Sequence, residues 1–292
     1  MSDNQKQTVQ WFPGHMAKTR RLIKESLPMV DAVTELLDAR IPYSSRNPEL
    51  DELTQKKPRI VLLHKCAMAD DNFTRLWVEY FKSKGQYALP VDCRTGKGLN
   101  RYGELVREVL KDTIQKNEDR GMPGKALRMM VVGIPYTGKS SFINRMAGKN
   151  RAKVADKPGV TRQNQWFAIG SGIELLDTPG VLWPKFDDPK VGDRLAFIGS
   201  VKNEVLDSET MAVRLIEVLV DGYEDKLTGR YKLKNIPDIH SVMAWEILEE
   251  IGRERGMLIK GGEVNTERAS VMLLEEYRSG KMGKISFERP ER

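Results

Sequence analysis

The sequence predicts an α/β fold: a mostly parallel sheet with helices on both faces, followed by an all-helical region. Three observations carry this. An apolar run from Ala126 to Val132 leads into Gly133-Ile-Pro-Tyr-Thr-Gly138-Lys139-Ser140 and then a helix-like segment, the order of buried strand, phosphate loop and helix. Apolar runs alternate with amphipathic stretches between residues 30 and 177, as parallel strands joined by helical crossovers do. From about Ala196 onward, helix-like segments follow one another with no convincing strand.

Taken in order, Trp11-Phe12-Pro13-Gly14-His15-Met16 precedes a short basic helix, Ala17 to Ser26, which Pro28 closes. Val30 to Leu37 reads as a strand ending in Asp38-Ala-Arg40, and a Pro- and Ser-rich loop leads to a helix from Pro48 to Gln55. Arg59 to Leu63 is a second buried strand and Tyr87 to Val91 a third. Between them, Asn72 to Ser83 carries Phe73, Trp77, Tyr80 and Phe81 at helical spacing, a core-facing pattern. Leu99 to Ile114 reads as one helix, and Gln115 to Lys125 as a polar connector. After the phosphate loop, Trp166–Ile169 and Ile173–Leu176 flank Gly-Ser-Gly and predict a hairpin. The last helices are expected at Glu209–Val220, Ser241–Gly252 and Thr266–Ser279, giving domains of residues 1–195 and 196–292.

The loop spacing has a mechanical reason. Gly133 and Gly138 let the backbone curl so that successive N–H groups and a helix N-terminus face one anion. Lys139 then reaches the β- and γ-phosphates and the Ser140 hydroxyl meets magnesium, so Tyr136, Thr137, Gly138, Lys139, Ser140 and Ser141 are the candidate phosphate-side contacts. Downstream, Asp177-Thr-Pro-Gly180 ends a strand. An aspartate there can hold magnesium through water, and the Gly180 N–H can meet a γ-phosphate. Thr161, in the intervening Asp156-Lys-Pro-Gly-Val-Thr loop, can close over the metal.

Composition narrows the class. Two cysteines, Cys66 and Cys93, argue against a disulfide framework and fit a reducing cytosol. Three scattered histidines offer no zinc site. No segment reads as a signal peptide or membrane span. The net charge of +7 is uneven: residues 196–292 carry 15 Lys/Arg against 18 Asp/Glu, so the excess lies in residues 1–195. Such a surplus points to a polyanion partner. Candidate RNA contacts are Lys18, Arg20 and Arg21, then Arg151 and Lys153 in the basic block beside the Thr161 loop. Arg278, Lys281 and Lys284 mix with glycines and Phe287 near the C-terminus, where a base could stack.

At W-F-P-G-H-M (11–16), D-A-R-I-P (38–42), S-S-R-N-P (44–48), D-T-P-G-V-L-W-P-K-F (177–186) and G-K-x-G-x-I-S-F-E (280–288), the chain resembles the circularly permuted GTPases of ribosome assembly. That resemblance implies a permuted P-loop GTPase domain whose base-reading motifs precede the phosphate loop: His64, Lys65, Cys66 and Ala67, then Asp92 and Cys93. Both segments follow strands, where open α/β sheets bind ligands. It also implies GTP and GDP with Mg²⁺, His15 as the group positioning the attacking water, and a helical RNA-docking domain. The implied partner is the large ribosomal subunit precursor with its rRNA, met in the cytoplasm by a chain that is monomeric off the ribosome.

Two departures bear on chemistry. The family's Asn-Lys-x-Asp is His64-Lys-Cys-Ala67 here, so the carboxylate that accepts from guanine is missing. Tyr136 stands where the family usually carries an asparagine that ligates potassium; a phenol replaces an amide oxygen poorly, which argues against potassium activation. Two other readings stay open on the residues alone: a degenerate switch with weak guanine preference acting mainly as an RNA-binding assembly factor, and a general P-loop ATPase.

Overall fold

The computed structural model describes residues 13–148, 165–183, 186, 188–201 and 207–291. They fall into two compact units, one holding residues up to 183 together with 288–291, the other holding 186–287.

The first unit is built on six strands: β1 (Ala32–Asp38), β2 (Arg59–His64), β3 (Tyr87–Val91), β4 (Leu127–Val132), β5 (Gln165–Ile169) and β6 (Ile173–Asp177). Their order is β3-β2-β1-β4-β6-β5. Every neighbouring pair is parallel except the β5–β6 hairpin at the edge. Register brings Asp38 opposite His64, His64 opposite Val91, and Val131 opposite Asp177. The carboxyl ends of β1, β2, β4 and β6 therefore share one edge, although residues from widely separated parts of the sequence supply them.

Helices α1 (Pro13–Ser26), α2 (Pro48–Thr54), α3 (Asp71–Ser83), α4 (Tyr102–Val109), α5 (Lys111–Asp119) and α6 (Lys139–Ala147) accompany the sheet. Strand alternation sorts the core. On one face Leu36, Leu62, Met129, Val131 and Leu175 meet Tyr102 and Val106 of α4 and Phe142 and Ile143 of α6. On the other, Val33, Met130 and Leu176 meet Ile23 of α1 and Leu50 of α2, while Leu37, Val61 and Leu63 meet Trp77 and Phe81 of α3. The β1 residue between these last two clusters is charged: Glu35 is fully buried, and Arg59 Nη1 donates to it at 2.9 Å. Burial pushes its carboxyl up, and Arg59 and Arg46 work against that rise.

The expected helix over 99–114 divides. A turn of 3₁₀ helix at Leu99–Arg101 precedes α4, and Leu110 leaves helical geometry before α5. α5 buries no residue and runs to Asp119, so half of the expected connector is helix.

In the second unit, α7 (Pro189–Phe197), α8 (Ser208–Tyr231), α9 (Ala244–Glu254) and α10 (Thr266–Ser279) pack together. α8 outruns its expected end at Val220 by bending at Tyr223 (φ −146°, ψ 36°), whose hydroxyl bonds both Ser286 N–H and C=O. The division near 186 lies before the expected 195. Its physical reason is α7, which buries Val191, Leu195 and Phe197 and whose Ala196 and Phe197 carbonyls accept from the Arg278 guanidinium of the same unit.

At the end of β1, Asp38 and nearby Arg40 are both buried and paired twice, Nε to Oδ1 at 2.9 Å and Nη2 to Oδ2 at 2.8 Å. Removing one partner of such a pair strands the other charge. Arg40→Met is expected to cost about 3–5 kcal/mol, read as a lower urea midpoint at unchanged slope. A loss below about 1 kcal/mol would show that Lys65 alone can hold Asp38.

Candidate functional site

The loop between β4 and α6 owes its path to three backbone positions. Gly133 (φ 148°) lies so close to β1 that an added Cβ would stand 2.7 Å from the Leu36 carbonyl oxygen. Tyr136 is left-handed at φ 63°, and Gly138 at φ 92° opens α6. A Cβ on Gly138 would fall 2.4 Å from the His64 ring, so only glycine fits. Lys139 is buried, and its Nζ donates to the Gly133 and Ile134 carbonyls at 3.0 and 2.7 Å. Burial pushes its ammonium down to about 8, while Asp177 pulls the other way. Thr137 is buried with its hydroxyl on Ile134 O; Ser140 and Ser141 open α6, half-buried.

The D-T-P-G turn lies against this loop. Asp177 is buried at the end of β6, and the Thr178 hydroxyl donates to Val131 O at 2.6 Å. A Cβ on Gly180 would sit 2.8 Å from Pro135 N and 3.0 Å from Lys139 Nζ. The Val181 N–H reaches Gly133 O at 3.3 Å.

The turns after β2 and β3 reach the same loop through side chains. The Cys93 N–H donates to His64 Nε2 (3.3 Å), which leaves the ring proton on Nδ1 to donate to Thr137 O (2.6 Å). One imidazole thus joins three loops. Burial holds it neutral, with the pKa lowered to about 4, and neighbouring Lys65 adds to the fall. Lys65, left-handed at φ 60°, donates from Nζ to Asp38 Oδ2 and to Tyr136 O, both at 2.9 Å. Burial would raise the Asp38 carboxyl, but Arg40 and Lys65 hold it well below the usual carboxylate range. Cys66 is buried; its N–H donates to Val91 O, and Ala67 beside it is half-buried. The Cys93 thiol is pushed up to about 12 by burial.

Several expected contacts sit otherwise. The Asp92 carboxylate turns onto its own loop, accepting from Thr95 N–H and Oγ–H at 2.8 and 3.1 Å, so the segment 92–95 presents backbone and Cys93 rather than that carboxylate. Asp70, after Ala67, caps α3 by accepting from Asn72 and Phe73 N–H. Lys18 is exposed and Arg21 pairs along α1 with Glu25, whereas Arg20 pairs with Glu49 at 2.5 Å. Lys281 is exposed, and the Lys284 carbonyl accepts from Lys226 Nζ. Phe287 is stacked on Tyr277 at 5.4 Å and edge-on to Phe197 and Tyr223, so the expected base-stacking ring belongs to an aromatic cluster instead. His15 lies in the first turn of α1. Thr161, Arg151 and Lys153 lie outside the described residues.

Residues 128–245 match the family described as "50S ribosome-binding GTPase". Over 283 residues the chain is 44% identical to ribosome biogenesis GTPase A of Bacillus cereus, covering 97% of this chain and 94% of that one. The chain belongs to the ribosome biogenesis GTPase A family. Among solved structures it is similar to GDP-bound YlqF (TM-score 0.64, 29% identity, 92% of this chain and 99% of that). GNP-bound YlqF from T. maritima is alike (TM-score 0.65, 29% identity, 94% and 99%). Membership in the ribosome biogenesis GTPase A family replaces the general ATPase reading that the phosphate loop alone permits: the chain is a GTPase of ribosome assembly. It also accounts for the permuted order in which the β2 and β3 turns precede the loop they touch.

Because His64 is neutral in the fold and ordinarily titrates near 6.5, the unfolded chain binds its proton first as pH falls. The stability that His64 confers is complete above about 6.5 and is lost between there and about 4. Across that window the melting temperature of the wild type is expected to drop more than that of His64→Asn. Parallel curves would mean that His64 is not held neutral.

Proposed function

We propose that this GTPase acts on the large ribosomal subunit precursor in the cytoplasm, binding its rRNA in a manner linked to bound nucleotide. The observation that carries the nucleotide chemistry is the stitching of D-T-P-G to the phosphate loop, through Val181 N–H to Gly133 O and the close approach of Gly180 to Lys139. In this reading Lys139 neutralises phosphate charge, and the Gly180 N–H meets the γ-phosphate. Ser140, Thr161 and Asp177 would hold Mg²⁺; an all-oxygen set with a single carboxylate suits a hard cation that keeps some of its water. Bound there, the ion supplies charge neutralisation between the phosphates. His15 orients the attacking water. Tyr136, which offers a phenol in place of an amide oxygen, argues against potassium activation.

Phosphate binding suits a lysine whose ammonium burial has weakened to about 8: an anion against Nζ restores the charged form, so the ligand and the lysine's proton favour each other. The subunit assignment rests on the family description matched by residues 128–245. Exposed Lys18, Arg21 and Lys281, with Arg151 and Lys153, supply candidate phosphate contacts for rRNA. Among the described residues no helix is long and apolar enough to cross a membrane, and off the ribosome we expect a monomer. Binding of rRNA to wild-type protein loaded with a non-hydrolysable GTP analogue is expected to exceed binding to nucleotide-free protein in a filter assay. Equal affinities would remove the link.

A weaker guanine preference than the family's is favoured by the base-side turn. Ala67 offers no acceptor, and the carboxylates of Asp70 and Asp92 are engaged with their own turns. A missing charged hydrogen bond is worth about 1.5–3 kcal/mol, or roughly ten- to a hundredfold in affinity. Ala67→Asp is expected to tighten GDP binding by that factor while leaving ADP and XDP without gain, measured by calorimetric titration. No change for GDP would show that the base does not lie against residues 64–67.

A further inference from the structure

The segment 39–47, between β1 and α2, touches both sides of the nucleotide loop through its two ends. At its start, Asp38 holds Lys65, which donates to Tyr136 O, and the Asp38 N–H donates to Ser45 Oγ at 3.0 Å. At its end, Asn47 caps α2 with its side-chain oxygen and donates from Nδ2 to Val181 O at 3.0 Å, one residue past Gly180. Val181 in turn donates its N–H to Gly133 O.

The middle of this segment is held by a carboxylate from the far end of the chain. Glu288, buried to 4% exposure, accepts from Tyr43 N–H at 2.6 Å, from Ser44 N–H at 3.0 Å and from the Ser44 hydroxyl. Its carbonyl accepts from the Trp77 indole at 2.9 Å, and the Arg289 guanidinium lies 4.6 Å above the Phe73 ring. Three donors from consecutive residues converging on one dehydrated carboxylate make a strong charge-assisted cap. Such a cap fixes a loop rather than merely covering it.

We propose that Glu288 is a positioning residue for triphosphate binding: by capping the 39–47 loop it sets Asn47 against Val181 and so holds the backbone of Gly180 toward the phosphate loop. This rests on the reading of Gly180 as the γ-phosphate contact. Lys65 and Tyr136 lie on the part of the site that a diphosphate also uses, whereas the Asn47–Val181 bond adjoins the part that only a triphosphate reaches. Loss of the cap therefore weakens triphosphate more than diphosphate. By linkage, a bound triphosphate tightens the cap in return.

The test compares wild type, Glu288→Gln and Ser44→Ala by calorimetric titration with GDP and with a non-hydrolysable GTP analogue. Glu288→Gln keeps the side-chain size but turns an amide NH₂ toward backbone donors. It is expected to weaken the analogue at least about fivefold more than GDP, and Ser44→Ala to shift the ratio in the same direction by less. In the wild type, hydrogen exchange at the Tyr43 and Ser44 amides is expected to be slower with the analogue than with GDP, a measurement that needs no variant. A merely structural cap would lower the melting temperature while weakening both nucleotides equally. Equal losses, or no loss with unchanged amide exchange, would overturn the proposal. A wild type that binds GDP but shows no affinity for the analogue would instead overturn the γ-phosphate reading, and this inference with it.

Discussion

A carboxylate with no access to water stands at the carboxyl end of the central strand. Asp38 must be neutralised from inside the protein, because a buried ion left alone costs several kcal/mol. Arg40 supplies a two-pronged partner from the next turn of chain, and Lys65 supplies a second from the end of the neighbouring strand. Lys65 has further donors, and one of them goes to the phosphate-loop carbonyl of Tyr136. A buried charge thus ties the turn after β2 to the phosphate loop.

His64 makes the complementary link without charge. A neutral imidazole has one donor and one acceptor, and here each is used on a different loop. Protonation would turn the acceptor into a second donor facing the Cys93 N–H, and burial and the Lys65 charge also favour the neutral ring. Gly138 completes the fit, since any side chain there would displace the imidazole. In this permuted chain the turns after β2 and β3 come first and the phosphate loop later. Covalent adjacency cannot align them, so side-chain hydrogen bonds between strand ends do.

Chain order and structural membership also part company at the C-terminus. Phe287 stacks on Tyr277 within the helical unit, while the very next residue, Glu288, belongs to the sheet unit and caps Tyr43 and Ser44. The polypeptide therefore passes between the units near residue 186 and again at 287–288. A motif ending in Ile-Ser-Phe-Glu divides its aromatic and its acid between two cores.

The sequence by itself determined the strands, the phosphate loop and the D-T-P-G turn, because local rules write them. Apolar runs of five to seven residues, too short for helices and alternating with amphipathic stretches, read as buried strands, and Gly133, Gly138 and Lys139 have positions that the backbone curl dictates. It also determined that residue 67 offers no side-chain acceptor, since alanine has none in any conformation. Tertiary structure alone decided what His64, Phe287 and Glu288 do. Each is a polar or aromatic side chain whose partner lies on another element: Thr137 for His64, Tyr277 for Phe287, Ser44 for Glu288. Asp92, by contrast, turned onto its own loop, because a carboxylate three residues before a backbone N–H finds a partner locally. Periodicity records which face of an element is buried, but a hydrogen bond across 244 residues leaves no trace in spacing. Only the packing of the sheet and its loops brings such groups within reach.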